Sequence, residues 1–191
     1  EIDYEEKFER GKVLFVGSLR PYKGIFELIK IARETPLMEF SAVFNCTENE
    51  LEAFLLEKRV PRNLRAVARD SNLMDRYKTA FVVMNLSLKP DCLEGFALTV
   101  LEGMSFGCPC IVPPEGGHMD YFRDTAGFAS DARNVGAIAA FITKLKSDRQ
   151  LWEAHSRESL DISGNYSTEL FCRRANELML DIISQQWQIE N

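Results

Sequence analysis

The sequence predicts an α/β fold: a doubly wound, Rossmann-like parallel sheet of about six strands with a helical extension at its C-terminal end. Three observations carry this. Short apolar runs alternate with amphipathic stretches across residues 13–129, and parallel strands need a crossover, usually helical, between them. The run at 13–16 is continuously apolar, the pattern of a strand covered on both faces. After Asn134 the alternation ends and three helical patterns follow one another.

The elements follow in order. A strand at 13–16 leads through a turn at 17–24 into a helix over 25–34. The next strand is 40–44, and the next helix 48–58, with Thr47 as N-cap three residues before Glu50. A weak strand at 64–67 and a short helix at 73–78 precede the central strand at 81–86. A helix then starts near Phe96 or Ala97, because Leu98, Leu101, Met104 and Ser105 have the spacing of a buried helical face. A strand at 110–112, a short helix after Gly117 and a minimal strand at 127–129 complete the alternation. Helices at 137–146, 149–160 and 168–187 close the chain. Residues 1–165 are thus read as the sheet domain and 166–191 as a C-terminal helix. The apolar residues of that helix (Leu170, Phe171, Leu178, Met179, Ile182) either stay partly exposed or pack on the sheet.

Composition narrows the function classes. The 191 residues are 46% hydrophobic and 27% charged, ordinary for a globular chain with ample core material. A net charge of −6 without a Lys/Arg-rich block argues against a nucleic-acid binder. The five cysteines (Cys46, Cys92, Cys108, Cys110, Cys172) lack metal spacing and read as reduced thiols, Cys108 and Cys110 within the core. A reducing, cytoplasmic compartment is the expectation. No His/Asp/Glu cluster has metal-ligand spacing, so no metal is expected. No signal peptide or run near the ~18 apolar residues of a membrane span is present. The sequence opens at Glu1 without methionine and is read as a piece of a longer protein.

In doubly wound sheets ligands bind beyond the carboxyl ends of the strands, where strand order reverses. That singles out the loops at 17–24, 86–96 and 113–118. The first starts with Gly17 and Ser18, and brings Arg20 and Lys23 beside a helix N-terminus, a charge suited to a diphosphate. Its plain alternative is a solvated turn. It is neither a Walker A loop nor Gly-x-Gly-x-x-Gly. In the second, Glu94 precedes a Gly95-Phe96 break, and Glu102 follows about 7 Å inside the helix. The first amides of that helix form an anion cradle between two carboxylates. A ligand with hydroxyls at both ends and phosphate between them, a nucleotide sugar, has this layout. In the third, Gly116 and Gly117 permit close backbone approach, Asp120 caps or lines the pocket, and His118 is either a ligand donor or an ordinary exposed histidine.

In this order the motifs resemble the donor-binding C-terminal half of GT-B glycosyltransferases, the retaining family 4 type (glycosyl transferases group 1). Members show Gly-Arg-x-x-x-x-Lys-Gly, then Glu-x7-Glu with Gly-Phe after the first Glu and a Met-x-x-Gly-x-Pro tail, then Gly-Gly-x-x-Glu. Here 17–24, 94–96, 102–109 and 116–120 match in sequence, and the resemblance covers roughly 13–145. It implies that Lys23 binds the diphosphate, with Gly17 and Ser18 in the phosphate turn. It implies further that Glu102 accepts the ribose hydroxyls and Glu94 faces the donor sugar. The amides of Gly95, Phe96, Ala97 and Leu98 would meet the distal phosphate or sugar, and Gly117 would admit the leaving group. Two positions depart from the pattern: Ser18 stands where arginine is usual, and Asp120 replaces glutamate. Arg20 is the substitute cation.

The expected activity is transfer of a sugar from a nucleoside-diphosphate donor to an acceptor hydroxyl with retention, in polysaccharide or glycolipid synthesis. The catalytic set is Lys23, Arg20 and Glu94, with no cofactor beyond the donor substrate. An acceptor sugar or glycolipid would bind a missing N-terminal domain, with peripheral contact to the inner membrane face left open. Four alternatives stand beside it: a 2-epimerase, a phosphorylase, an inactive nucleotide-sugar-binding module, and a receiver or scaffold domain.

Overall fold

A computed structural model describes residues 2–91 and 93–189. The first element was not foreseen: helix α1 (Tyr4–Arg10), capped by Asp3, whose Oδ1 accepts from the Glu6 amide at 2.8 Å, and ended by Gly11 in the left-handed region. It inserts a fully buried lysine into the fold. Lys7 Nζ donates to the Tyr77 carbonyl at 2.8 Å and to Cys108 Sγ at 3.3 Å, which satisfies a charge that burial would otherwise penalise.

The alternation then runs β1 (Lys12–Gly17), α2 (Ile25–Glu34), β2 (Glu39–Phe44), α3 (Glu48–Glu57), β3 (Leu64–Ala68), α4 (Leu73–Thr79), β4 (Ala80–Met84), α5 (Leu98–Ser105), β5 (Cys110–Val112) and β6 (Gly127–Ala129). Helices α6 (Val135–Ser147), α7 (Arg149–Gly164) and α8 (Thr168–Ile189) follow. Thr47 and Glu50 form the expected reciprocal capping box on α3. All strand pairs are parallel, in the order β3-β2-β1-β4-β5-β6, so order reverses between β1 and β4. That places a crevice at the carboxyl ends of these two strands.

Two boundaries that shape the carboxyl edge of the sheet moved. β4 stops at Met84 rather than 86, so Asn85, Leu86 and Ser87 leave the sheet at its carboxyl edge. α5 starts at Leu98 because Ala97 takes a left-handed conformation (φ 54°, ψ 60°). The Tyr121 hydroxyl holds that bend by donating to the carbonyls of Phe96 (2.9 Å) and Ala97 (3.1 Å).

The core lies on both faces of the sheet. One side joins Val13, Phe15, Phe40, Val82 and Met84 to α2 and α6, and the other joins Leu14, Val83 and Cys110 to α4 and α5. Trp152 of α7 is fully buried and stacked on Phe81 at 5.5 Å, with its indole N–H on the Phe81 carbonyl at 2.9 Å. Burying so large an aromatic with its polar atom satisfied ties α7 to the sheet. α8 leaves its apolar residues outside: Phe171 is 71% and Leu178 62% exposed, so they do not pack on the sheet. Cys46, Cys108 and Cys110 are buried free thiols, whereas Cys172 is exposed on α8, and Cys92 lies outside the described residues. Among the described residues no helix is long and apolar enough to cross a membrane, and no group of ligating side chains could hold a metal ion.

Candidate functional site

The site grows from a contact between two loops. The turn after β1 tightens into a 3-10 helix (Pro21–Lys23) ending at Gly24, whose φ is +75°. A Cβ at Gly24 would lie 2.2 Å from the Leu86 carbonyl oxygen, so only glycine lets this turn rest on the segment leaving β4. The Leu88 amide donates to the Tyr22 carbonyl at 2.8 Å and fixes the register of the contact. Lys23 is thereby delivered over Ser87 and Glu94.

There three side chains converge. Lys23 forms an ion pair with Glu94 Oε1 and approaches Ser87 Oγ at 3.3 Å, while Ser87 Oγ donates to the same Glu94 oxygen. The Ser87 amide donates to Asn85 Oδ1 at 3.1 Å. Burial alone would raise the Glu94 pKa. The hydrogen bonds from Lys23 and Ser87, then the Lys23 charge and a bond from Asn85, outweigh it and hold the carboxyl below its ordinary value. Glu94 is thus a carboxylate set among donors at the switch point.

A cleft of about 290 Å³ opens beside this cluster, lined by Phe15, Val16 and Gly17 of β1, Lys23, Asn85, Glu94, and Phe96 to Thr99 at the start of α5. The first amides of α5 have no acceptors within the helix, so the cleft combines a cation, a carboxylate and an anion-favouring helix end. Phe96 is partly exposed at the rim, its ring 5.4 Å from Tyr121 and 5.9 Å from Tyr166.

The third loop packs against the second through backbone. The Gly117 amide donates to the Glu94 carbonyl at 2.8 Å, and a Cβ at Gly117 would lie 1.6 Å from the Gly95 carbonyl oxygen. The close approach expected of Gly117 is therefore occupied by the protein's own Gly95. His118 is fully buried rather than displayed. Its Nε2 lies 2.8 Å from the Pro113 carbonyl, which can only accept, so Nε2 carries the proton, and Nδ1 has no partner among the described residues. Asp120 is exposed. An ion pair between Lys89 and Glu115 joins the same two loops at the surface.

The other expected residues divide. Gly17, Lys23, Glu94, Phe96, Ala97 and Leu98 line the cleft. Gly95 lies between them and the third loop. Ser18 and Arg20 do not line it, and Arg20 is exposed within electrostatic reach of Glu50 at the start of α3. Its charge is felt there by Glu50, whose carboxyl is lowered mainly by the Thr47 hydrogen bonds. Glu102 also lies outside the cavity wall, on α5 one turn beyond Leu98 and Thr99, exposed, with Oε2 accepting from the Tyr77 hydroxyl at 2.8 Å. Burial and then Glu102 raise the Tyr77 pKa, so that hydroxyl stays a donor.

Sequence reasoning missed Asn85, Ser87 and Tyr77. Two signals pointed to the first pair: polar residues directly after an apolar strand, at the sheet edge where loops carry ligands. Tyr77 gave none, because its helix spacing marks it as core and only tertiary packing aims its hydroxyl at Glu102.

A model of the family described as glycosyl transferases group 1 matches residues 3–161, most of the chain. The chain belongs to this family. A probable sucrose-phosphate synthase from Solanum tuberosum is 32% identical over 85 residues, 44% of this chain and 8% of the relative. The solved structure of sucrose-phosphate synthase from Thermosynechococcus elongatus superposes with a TM-score of 0.76 at 18% identity, covering 96% of this chain and 47% of that one. The pneumococcal O-GlcNAc transferase GtfA, solved with UDP and GlcNAc, gives 0.73 at 19% identity over 95% and 38%. The chain thus spans less than half the length of each of these proteins. As a group 1 glycosyltransferase domain it has the fold of the C-terminal half of GT-B enzymes.

Proposed function

We propose that this chain is the donor-binding half of a retaining, metal-independent glycosyltransferase of the family 4 type. One observation carries the reading: Lys23, Glu94 and the first turn of α5 line one cleft at the β1–β4 switch point. The solved relative holding UDP and GlcNAc supports a nucleoside-diphosphate sugar as the ligand. In this reading the diphosphate meets Lys23 and the α5 amides, the sugar hydroxyls meet Glu94, and the ribose extends along α5 to Glu102. Arg20, exposed and outside the cavity wall, then acts at most through long-range charge.

The chemistry asks for stabilisation of negative charge on the departing diphosphate. The donor C1–O bond breaks, and its electron pair leaves with the phosphate. The acceptor oxygen bonds to C1 from the same face, and its proton passes to the leaving phosphate. Lys23 and the helix end are the preorganised charge for this step, an effect on the order of 10²–10³ in rate per donor. The acceptor sugar or glycolipid would bind a separate N-terminal domain, at the cytoplasmic face of a membrane or in the cytoplasm, in polysaccharide or glycolipid synthesis.

A second reading, a nucleotide-sugar-binding module without transfer, draws on one feature. Ser18 in place of arginine and Arg20 outside the cleft leave Lys23 as the one cation in the cavity wall among the described residues. Calorimetric titration of the chain with UDP, GDP, ADP and their sugars tests both readings. Binding of one nucleotide sugar supports a donor site, and binding of none rejects both. A transfer assay on the whole protein with that donor separates enzyme from module.

A further inference from the structure

We propose that Ser87 is a positioning residue that keeps the Glu94 carboxylate in place when Lys23 turns to the diphosphate, an inference that rests on the donor-site reading above. Ser87 is only 4% exposed, yet its hydroxyl is the third corner of the Lys23–Glu94 contact. It is itself anchored: its amide is bonded to Asn85 Oδ1, and the Asn85 amide donates to the Ile111 carbonyl of β5 at 2.8 Å. The hydroxyl therefore moves with the sheet, whereas Lys23 sits at the end of a flexible stem.

The need for such an anchor follows from charge. A diphosphate brings about two negative charges to the cleft, and an ammonium is a mobile point charge that will turn toward them. Once Lys23 is drawn away, the Glu94 side chain, only 13% exposed, loses this ion pair, and burial favours its protonation. A neutral donor that does not follow the ligand keeps the carboxylate ionised and aimed at the sugar hydroxyls. Tyr121, beyond the third loop, also senses the Glu94 charge; its own burial raises its pKa, so it stays neutral.

Ser87→Ala deletes one oxygen and introduces no steric conflict, and Ser87→Thr restores the hydroxyl. In the ligand-free chain, a carbon-detected NMR titration of the Glu94 carboxyl should place its pKa higher in the alanine variant and return it toward the wild-type value in the threonine variant. Calorimetry with the nucleoside diphosphate and the nucleotide sugar that the wild-type chain binds gives the second measure. Roughly a five- to tenfold loss for the sugar donor, with the bare diphosphate within about twofold, is expected of a residue acting through Glu94. The loss should widen as pH falls toward 4.5, the ordinary carboxylate value, because without the Ser87 hydroxyl Glu94 is easier to protonate. An unchanged Glu94 titration, or equal losses for both ligands, overturns the positioning role. Failure of the wild-type chain to bind any nucleotide sugar overturns the donor-site reading instead, and the ligand-free titration still decides whether Ser87 holds Glu94.

Discussion

The Lys23 ammonium and the Glu94 carboxylate, 71 residues apart in sequence, form an ion pair across the mouth of the β1–β4 crevice. Neither lies on a strand or an α-helix. Each is held by the loop that carries it, and the loops are locked together through Gly24, Leu86, Tyr22 and Leu88. The pair is thus a product of tertiary contact rather than of local sequence.

Lys23→Ala removes this ion pair from Glu94, which stays largely buried beside Ser87. Both side chains are less than a quarter exposed, 23% and 13%, so solvent screens the pair only in part. A stability loss of about 1–2 kcal/mol at neutral pH is expected from urea denaturation. Affinity for a nucleoside diphosphate, measured by calorimetry, should fall about tenfold. A variant as stable as wild type would show the pair to be energetically idle.

Acid should weaken the wild-type fold through Glu94. Its native pKa lies below 4.5, the ordinary value, so the unfolded chain takes up this proton first as pH falls. The stabilisation is complete above that ordinary value and disappears as pH drops through the depressed native one. Denaturation midpoints of wild type and Glu94→Gln should therefore converge on acidification and separate near neutrality. Curves that stay parallel across this window would remove Glu94 from the acid response.

Gly117→Ala tests the seam between the second and third loops. Its added methyl would sit 1.6 Å from the Gly95 oxygen, so one loop must move. A loss on the order of 3 kcal/mol is expected, read as a lower thermal midpoint. Because Glu94 bonds the same glycine through its carbonyl, donor affinity should fall as well. An unaltered melting curve would contradict the observed contact.

Glu102→Ala and Tyr77→Phe address the ribose contact. Glu102 is exposed, so its loss should change stability by no more than about 0.5 kcal/mol. If it accepts ribose hydroxyls, nucleotide binding should weaken by about 1–3 kcal/mol. Tyr77→Phe removes the hydroxyl that orients it and should weaken binding in the same direction by less. Unaltered nucleotide affinity in Glu102→Ala would place the ribose elsewhere.

Most of the fold was legible because hydrophobic periodicity marks sheet and helix directly. The strands at 110–112 and 127–129 fall where the apolar runs end, and Thr47 and Glu50 announced the start of α3. α1 was not legible: it is short, and the buried placement of Lys7 depends on carbonyl and thiol partners distant in sequence. The α5 boundary slipped because Ala97 adopts a left-handed conformation, a tertiary decision by Tyr121. At the site, sequence spacing placed Lys23 and Glu94 at one mouth of the sheet. It did not show Arg20 and Glu102 outside the cavity wall, or His118 enclosed. Side-chain direction in a loop depends on its neighbours, and no periodicity encodes it.

The carbonyl of Gly95 resting where a Cβ of residue 117 would stand constrains protein engineering of this site. In a chimera that imports residues 94–96 or 116–118 alone, donor and recipient backbones must still mesh at a spacing that leaves no room for a Cβ at residue 117. The two segments fit as a matched set, and specificity transplants should carry both.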